Sequence, residues 1–437
     1  MAATAVVSRE NIESWADGSP KLRLFRRAVE EMQKLSEIAL MDSRGYQWVA
    51  GVHGGFGNGA FCQHGNRNFL TWHRAYLLDM ELKLRAQIAE IADVQTADEW
   101  RLPYWDWTAP NATLPKAFTD ATYDDGGTQK PNPLLSQPYQ LGQQIFVRPG
   151  VLLNPQTPTW RGPVPPGTYD GLGDLVADAL EEDQFGTFSD AVENPHNLVH
   201  VRTGGHMVTF RSSFDPIFWV HHANVDFQFW QWQQRQGGIG TFPQDVLDFE
   251  CQPFQFADLR ASAFLDTRTL GYTYATVRSP VLDRAALPDA DERTELTIRT
   301  GPIPDAFTRA RINLHNVHHP EDPVVLRFFA DRDTPADAST PTTPDEHFLI
   351  DRAVLGHGPC PGAPGHCDPT PLPITGAGLR APHHLAPFDI GITVTRNLRA
   401  AIGAGPGHTV SMIALDQDGE QVPLSALRFD NATVTVT

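Results

Sequence analysis

Up to about residue 240 the apolar positions recur at helical spacing, and beyond about residue 260 they alternate. Leu24, Ala28, Met32 and Leu35 mark one face of a helix predicted over Leu22–Ile38, entered after Ser19-Pro20. Leu70, Leu77, Leu78, Leu82 and Ile88 do the same for Phe69–Ala92. An aromatic-rich segment, Phe218–Gln236, predicts a third long helix that stops at Gly237-Gly238. His196–Val201 reads as a shorter helix entered from Asn194-Pro195, where proline suits a first turn. Pro110–Pro166, rich in Pro, Gly, Asn and Thr, predicts surface loops.

The alternating runs are Glu295–Arg299, Arg311–His315, Pro323–Phe329, Ile390–Thr395, Val410–Leu415 and Ala432–Thr437. Period two bounded by Pro, Asp and Gly predicts strands of an antiparallel sandwich or barrel, with Asp418-Gly419 as a hairpin turn. Asp331–Glu346 is polar and Pro/Thr-rich, a loop or partly disordered insert. The change of pattern divides the chain into residues 1–258, helical, and 259–437, β-rich.

Composition narrows the possibilities. A length of 437 residues suffices for two cores, and 41% hydrophobic with 20% charged residues is the make-up of a globular protein. A formal charge of -18 would repel nucleic acid and anionic membranes, so neither is an expected partner. No apolar run is long enough to span a bilayer. Met1–Asn11 has no basic or apolar signal region, which gives a cytoplasmic expectation unless a signal was removed. Four cysteines make no disulfide framework; Cys360 and Cys367 could pair across a short loop, or remain thiols.

Histidine placement is more informative. His53, His64 and His73 form one triplet, and His196, His200 and His222 a second. His196 and His200 stand i and i+4 on one helix face, so both imidazoles can reach one ion. Three neutral imidazoles per set suit copper, zinc or iron, and two sets in one domain point to a dinuclear centre.

The surrounding motifs sharpen this. C-Q-H at 62–64, F-L-T-W-H-R-A-Y-L at 69–77, L-P-Y-W-D-W at 102–107, H-N-L-V-H at 196–200 and D-P-I-F-W-V-H-H-A-N-V-D at 215–226 resemble the tyrosinase/polyphenol oxidase family of type-3 copper proteins, which includes molluscan haemocyanins. The resemblance implies a multidomain α+β fold: a four-helix bundle holding two copper ions, then an antiparallel β-sandwich domain. It implies His53, His64 and His73 on the first copper and His196, His200 and His222 on the second, His222 being the second member of its pair. It implies a copper-dependent oxidoreductase that uses O2 as co-substrate to oxidise o-diphenols to o-quinones, with monophenol hydroxylation as a further capacity. Small phenolic or aminophenolic substrates follow, and a copper chaperone is a candidate partner. An o-aminophenol oxidase and a haemocyanin-like oxygen carrier are the alternatives; a zinc or iron hydrolase is disfavoured by the lack of a bridging carboxylate.

The same resemblance makes Cys62 the site of a thioether to the neighbouring histidine, and Glu193 with Asn197 the pair that holds a base water. Glu181 and Glu182 are weaker base candidates. Val201, Thr209 and Phe210 sit where relatives place residues that gate the second copper. Asp226 is expected to anchor His222 or nearby backbone, and Phe227 stands where relatives often carry arginine. His206 is expected at the surface. The segment 264–274 resembles the stretch after the catalytic domain of plant polyphenol oxidases, and the later strands more faintly resemble their β-rich C-terminal domain, which can cover the active site. The loop with His357, Cys360, His366 and Cys367 reads as exposed chain rather than a copper site.

Overall fold

The computed structural model describes residues 6–54, 61–137, 145–148, 151–153, 158–274, 296–300, 303, 307, 309–332, 335–343, 347–358, 387–402, 408–429 and 431–436. The Cys360–Cys367 loop and His366 lie outside the described residues. Helix α1 (Pro20–Ile38) begins as its sequence dictates: the Ser19 hydroxyl accepts the Leu22 N–H, and Pro20 occupies the first turn. There follow α2 (Tyr46–Gly54), α3 (Phe69–Ile91), α4 (Val94–Glu99), α5 (Leu172–Leu180), α6 (Phe185–Thr203), α7 (Ile217–Arg235), α8 (Gln244–Leu247) and α9 (Thr395–Ala401). Among the described residues no helix is long and apolar enough to cross a membrane.

Helix α6 departs from the expectation. It starts at Phe185 and carries Pro195 in its interior. Phe185, Phe188 and Val192 share a buried face at i, i+3 and i+7, and that burial carries the helix through a residue that cannot donate to the Ala191 carbonyl. Trp48–Val52, an apolar stretch with no assigned element, lies within α2.

Strand β1 (Val7–Arg9) pairs in parallel with β6 (Tyr272–Tyr274) beside the helices. Two short hairpins, β2 (Thr122–Asp124) with β3 (Gln129–Pro131) and β4 (Ile145–Arg148) with β5 (Val151–Leu153), punctuate the loop-rich segment. The β-rich part contains β7 (Leu296–Arg299), β8 (Ala310–Val317), β9 (Val324–Ala330), β10 (Phe348–Val354), β11 (Phe388–Thr393), β12 (Thr409–Leu415), β13 (Gln421–Val422) and β14 (Asn431–Val436). One antiparallel sheet runs β10-β9-β12-β13 with β7 also on β12, and another runs β11-β8-β14. Ile312, Leu314 and Ile390 of the second share one core with Leu326, Phe328 and Met412 of the first.

Six of these strands match the alternating runs, and Gly419 (φ 84°) makes the β12–β13 turn. β10 was not among the expected strands, because Asp351-Arg352 interrupts its apolar pattern. In the polar 331–346 segment, Ala336, Ala338 and Thr340 are buried, so its described part is packed chain. Phe264, Tyr272 and Tyr274 belong to the helical core.

Candidate metal centre

Helices α2, α3, α6 and α7 deliver His53, His73, His196/His200 and His221/His222 to one buried region, and the loop before α3 adds His64. His53, Cys62, His64 and His73 form one group and His196, His200, His221 and His222 another, each with donor atoms within 4.8 Å of one another. The groups touch: the His73 and His222 rings stack at 4.5 Å. Cys62 and His221 enlarge the expected triplets. Cys62 Sγ lies 3.7 Å from His73 Nε2, and His221 stacks on His196 with its centroid 5.0 Å away.

The hydrogen bonds fix the tautomers. His53 Nδ1 donates to the Phe210 carbonyl (2.9 Å), His73 Nδ1 to Phe69 (2.8 Å) and His200 Nδ1 to Met207 (2.6 Å), because a carbonyl can only accept. His196 Nδ1 donates to Asn197 Oδ1 at 2.8 Å. Asn197 Nδ2 donates to the Ala353 carbonyl, which sets that amide's orientation. The Nε2 atoms of these four rings are therefore bare lone pairs. His196 and His200 Nε2 stand 3.0 Å apart, and His222 Nε2 lies 3.2 Å from that of His196. The facing lone pairs of His196 and His200 repel at that separation unless a cation lies between them. The donor set fits metal ions, and borderline imidazole nitrogen suits copper among them.

Burial keeps these rings neutral. It lowers His53 and His200 to about 3, and His73, His196 and His222 well below the ordinary histidine value. Unfolding lets them take up protons at their ordinary value of about 6.5. Stability from these groups is thus complete above about pH 6.5 and is lost as pH falls toward about 3. The copper-free chain should show a thermal midpoint that drops steeply between about pH 6.5 and about pH 4.5. Copper loading should flatten that drop, since bound metal competes with the proton.

The surroundings redistribute several expected roles. Glu193 Oε1 accepts the Gly65 N–H at 2.8 Å and lies 3.4 Å from His64 Nδ1, so it holds the His64 loop against α6. Glu193→Gln should weaken copper binding at the first site about tenfold and leave the second unchanged, as read by copper titration. Thr209 caps a short turn, accepting the Arg211 N–H and donating to the His206 carbonyl. Val201 follows His200 by one residue, about 100° around the helix, and lines a separate cavity. Phe210 does stand over the centre, 6.1 Å and 6.2 Å from the His53 and His64 rings. Its carbonyl reaches His53 because Gly54 has no side chain: a Cβ there would come within 1.8 Å of that oxygen.

Glu182 pairs with Arg309 and Thr393 rather than serving the site. His206 is buried, contrary to expectation; its Nδ1 accepts the Trp160 N–H, and burial lowers it to about 4. Asp226 touches no copper-facing histidine. It pairs with Arg74 (2.5 Å) and Arg9 (3.1 Å) and accepts from Tyr272 and Tyr274, tying α7 to α3 beside His73. Phe227 instead stacks on Tyr104 at 4.8 Å.

The β-rich part covers the mouth. His319, Arg352, Ala353, Val354 and Phe388 stand over His64, Glu193, Asn197 and Phe210, and the remaining cavity is about 10 Å³, room for roughly one water. Phe388 sits against Gly65, where a Cβ would meet its ring at 2.8 Å. Polar groups of α6 fasten this cover. Asp190 pairs with Arg311 and Arg352 (3.3 Å each) and accepts the Gly391 N–H. Asn194 and Asn197 complete the edge of β10 through Asp351 and Ala353.

Residues 43–235 match the common central domain of tyrosinase. The chain therefore carries a tyrosinase-family domain over residues 43–235, and its relatives support a place among the type-3 copper proteins. Hemocyanin 1 of Megathura crenulata is 31% identical over 265 residues, 54% of this chain but only 7% of that longer protein. The likeness in fold spans both parts of the chain. Deoxygenated hemocyanin from Rapana thomasiana superposes with TM-score 0.66 over 99% of each chain at 17% identity. Tyrosinase from Burkholderia thailandensis does so with TM-score 0.63 over 98% of this chain and all of that one (100%), also at 17% identity. Two histidine-rich groups in a tyrosinase-family domain fit a dinuclear copper site.

Proposed function

We propose that this protein is a phenol oxidase in which a pair of copper ions reduces O2 while o-diphenols are oxidised to o-quinones, and that its β-rich part keeps it latent. In this reading His53, His64 and His73 hold the first copper and His196, His200 and His222 the second. The ligand-bearing helices form a four-helix bundle, and the two facing sheets are a β-sandwich lid. His222 rather than His221 is taken as the ligand because it holds the ligand position of the family motif and its Nε2 faces that of His196 at 3.2 Å.

The chain's residues do the following. Carbonyls of Phe210, Phe69 and Met207 orient three imidazoles, and the aromatic walls exclude water. Phe210 offers a ring edge to an incoming phenol. With the lid docked, Asn197 is engaged by His196 and Ala353, so it is free to help Glu193 hold a base water only once β10 withdraws. Monophenol hydroxylation therefore depends on lid release more strongly than diphenol oxidation does.

The observation that carries the oxidase reading is the clamp on α6: charged and amide contacts, beside an apolar seam in which Val325, Phe329, Ala353 and Ile413 join the helical core, hold the lid over a site too small for a phenol. The 10 Å³ cavity also favours a second reading, an oxygen carrier that never admits phenols. Copper reconstitution followed by oxygen uptake with a catechol, a monophenol and an o-aminophenol, before and after brief proteolysis, decides between them. Uptake that rises on proteolysis supports the oxidase. Reversible oxygenation without uptake in either state supports the carrier.

Cys62 supplies a separate check. Joining its sulfur to a ring carbon of His64 removes two hydrogens, with O2 as the oxidant. After copper and air exposure the intact chain should weigh two hydrogen masses less and resist alkylation at Cys62 when unfolded. An unchanged mass would leave Cys62 a buried thiol.

A further inference from the structure

We propose that a second cavity, bounded by both parts of the chain, binds a small amphipathic carboxylate. Its volume is about 880 Å³, and its walls come from α5 and α6 on one side and β9, β10 and α9 on the other. That size suits a small organic ligand. Leu175, Leu198, Val201 and Phe348 give it apolar surface.

Charge selects the ligand. Arg327 grips Asp351 through two nitrogens at 2.9 and 3.2 Å, and Arg396 faces Asp174 and Asp178 at 3.6 and 3.9 Å. Asp170 accepts the Asn111 N–H, and Asp416 accepts those of Asp418 and Glu420. Arg202, which also lines the cavity, donates only to the carbonyls of Thr168 and Asp170, both at 3.2 Å. Among the described residues no ion pair joins Arg202 to a carboxylate. Asp351 and Asp170 favour the charge on Arg202 from a distance without gripping it, so a ligand carboxylate can pair with it directly in the planar geometry a guanidinium favours, its apolar body along the aliphatic wall.

Occupancy has a structural consequence. Phe348–Asp351 line this cavity while Arg352–Val354 of the same strand line the copper mouth. Because both parts of the chain build the cavity, a ligand there favours the docked arrangement by mass action. The regulatory half of the inference rests on the lid reading above: the carboxylate is a ligand that keeps the oxidase shut.

The test uses the full chain and 4-phenylbutyrate, with 4-phenylbutan-1-ol and 4-phenylbutylamine as neutral and cationic counterparts, read by calorimetric titration and thermal shift. The carboxylate should bind and raise the thermal midpoint, with or without copper. The alcohol and amine should bind about tenfold or more weakly. Arg202→Gln, and independently Ala400→Trp at the cavity wall, should each weaken binding by a similar factor. Equal affinity for the amine, or undiminished affinity in Ala400→Trp, overturns the site. In the copper-loaded chain the carboxylate should lower the catechol rate without raising KM. Binding in a chain that oxidises no phenol even after proteolysis would retain the site and remove the oxidase reading. A catechol rate unaffected at saturating carboxylate would overturn the regulatory half.

Discussion

Replacing His196 with alanine leaves a chain that binds at most one copper ion and loses about a thousandfold or more of its catechol oxidation. His196 has the largest share in the centre: its Nε2 lies 3.0 Å from that of His200 and 3.2 Å from that of His222, and its ring is 5.4 Å from His64 across the two groups. Its Nδ1–H is fixed by Asn197, so removing the ring also frees the amide that meets Ala353. Alanine at this buried position leaves helix α6 intact by propensity. Near-ultraviolet circular dichroism should therefore stay native while copper content and oxygen uptake collapse. Full copper content with native activity would remove His196 from the centre.

Asp190→Ala should have the opposite sign, raising catechol oxidation by the intact chain. The carboxylate answers both Arg311 and Arg352 and caps the Gly391 N–H, joining α6 to β8, β10 and β11 at one point. Breaking this partly exposed cluster costs the docked state about 2–3 kcal/mol, less than a wholly buried pair would. A shift of that size raises the open population by about thirty- to a hundred-and-fiftyfold. Monophenol hydroxylation should rise further than diphenol oxidation, because opening also releases Asn197. Copper content should not change, since Asp190 lies six residues before His196 on the helix and touches none of the copper-facing side chains. A variant with full copper and an unchanged rate would mean that the clamp does not govern access.

Much of the architecture was legible from periodicity. Leu24, Ala28, Met32 and Leu35 located α1, and the alternating runs located six strands within a residue or two, because burial on one face leaves a period that needs no tertiary knowledge. The histidines were legible for a related reason: i and i+4 spacing on one helix brings rings together wherever that helix packs. What escaped depended on long-range partners. β10 hides behind Asp351-Arg352, charges that face inward only because Arg327 and Asp190 receive them. Pro195 masks the first half of α6, which Phe185 and Phe188 stabilise through burial.

Within the site, spacing identified which histidines converge but not what holds them. Glu193 was expected beside a base water, yet its oxygen goes to Gly65, 128 positions away in sequence. Val201 held its motif position and still lines another cavity, because a single residue turns a helix position by about 100°. Closure of the mouth by Phe388 and the end of β10 is a property of how two parts of the chain dock, for which no local pattern exists.

The central claim, that both histidine groups form one coupled copper centre, is tested most directly by copper analysis combined with quantitative electron paramagnetic resonance on the oxidised, reconstituted chain. The stacked His73 and His222 rings join the two histidine groups, so ions held by both would lie close enough to couple. Two copper ions per chain with almost no resonance signal is the predicted result, because neighbouring Cu(II) spins pair. A single copper per chain, or two ions giving the full signal of isolated Cu(II), would contradict it.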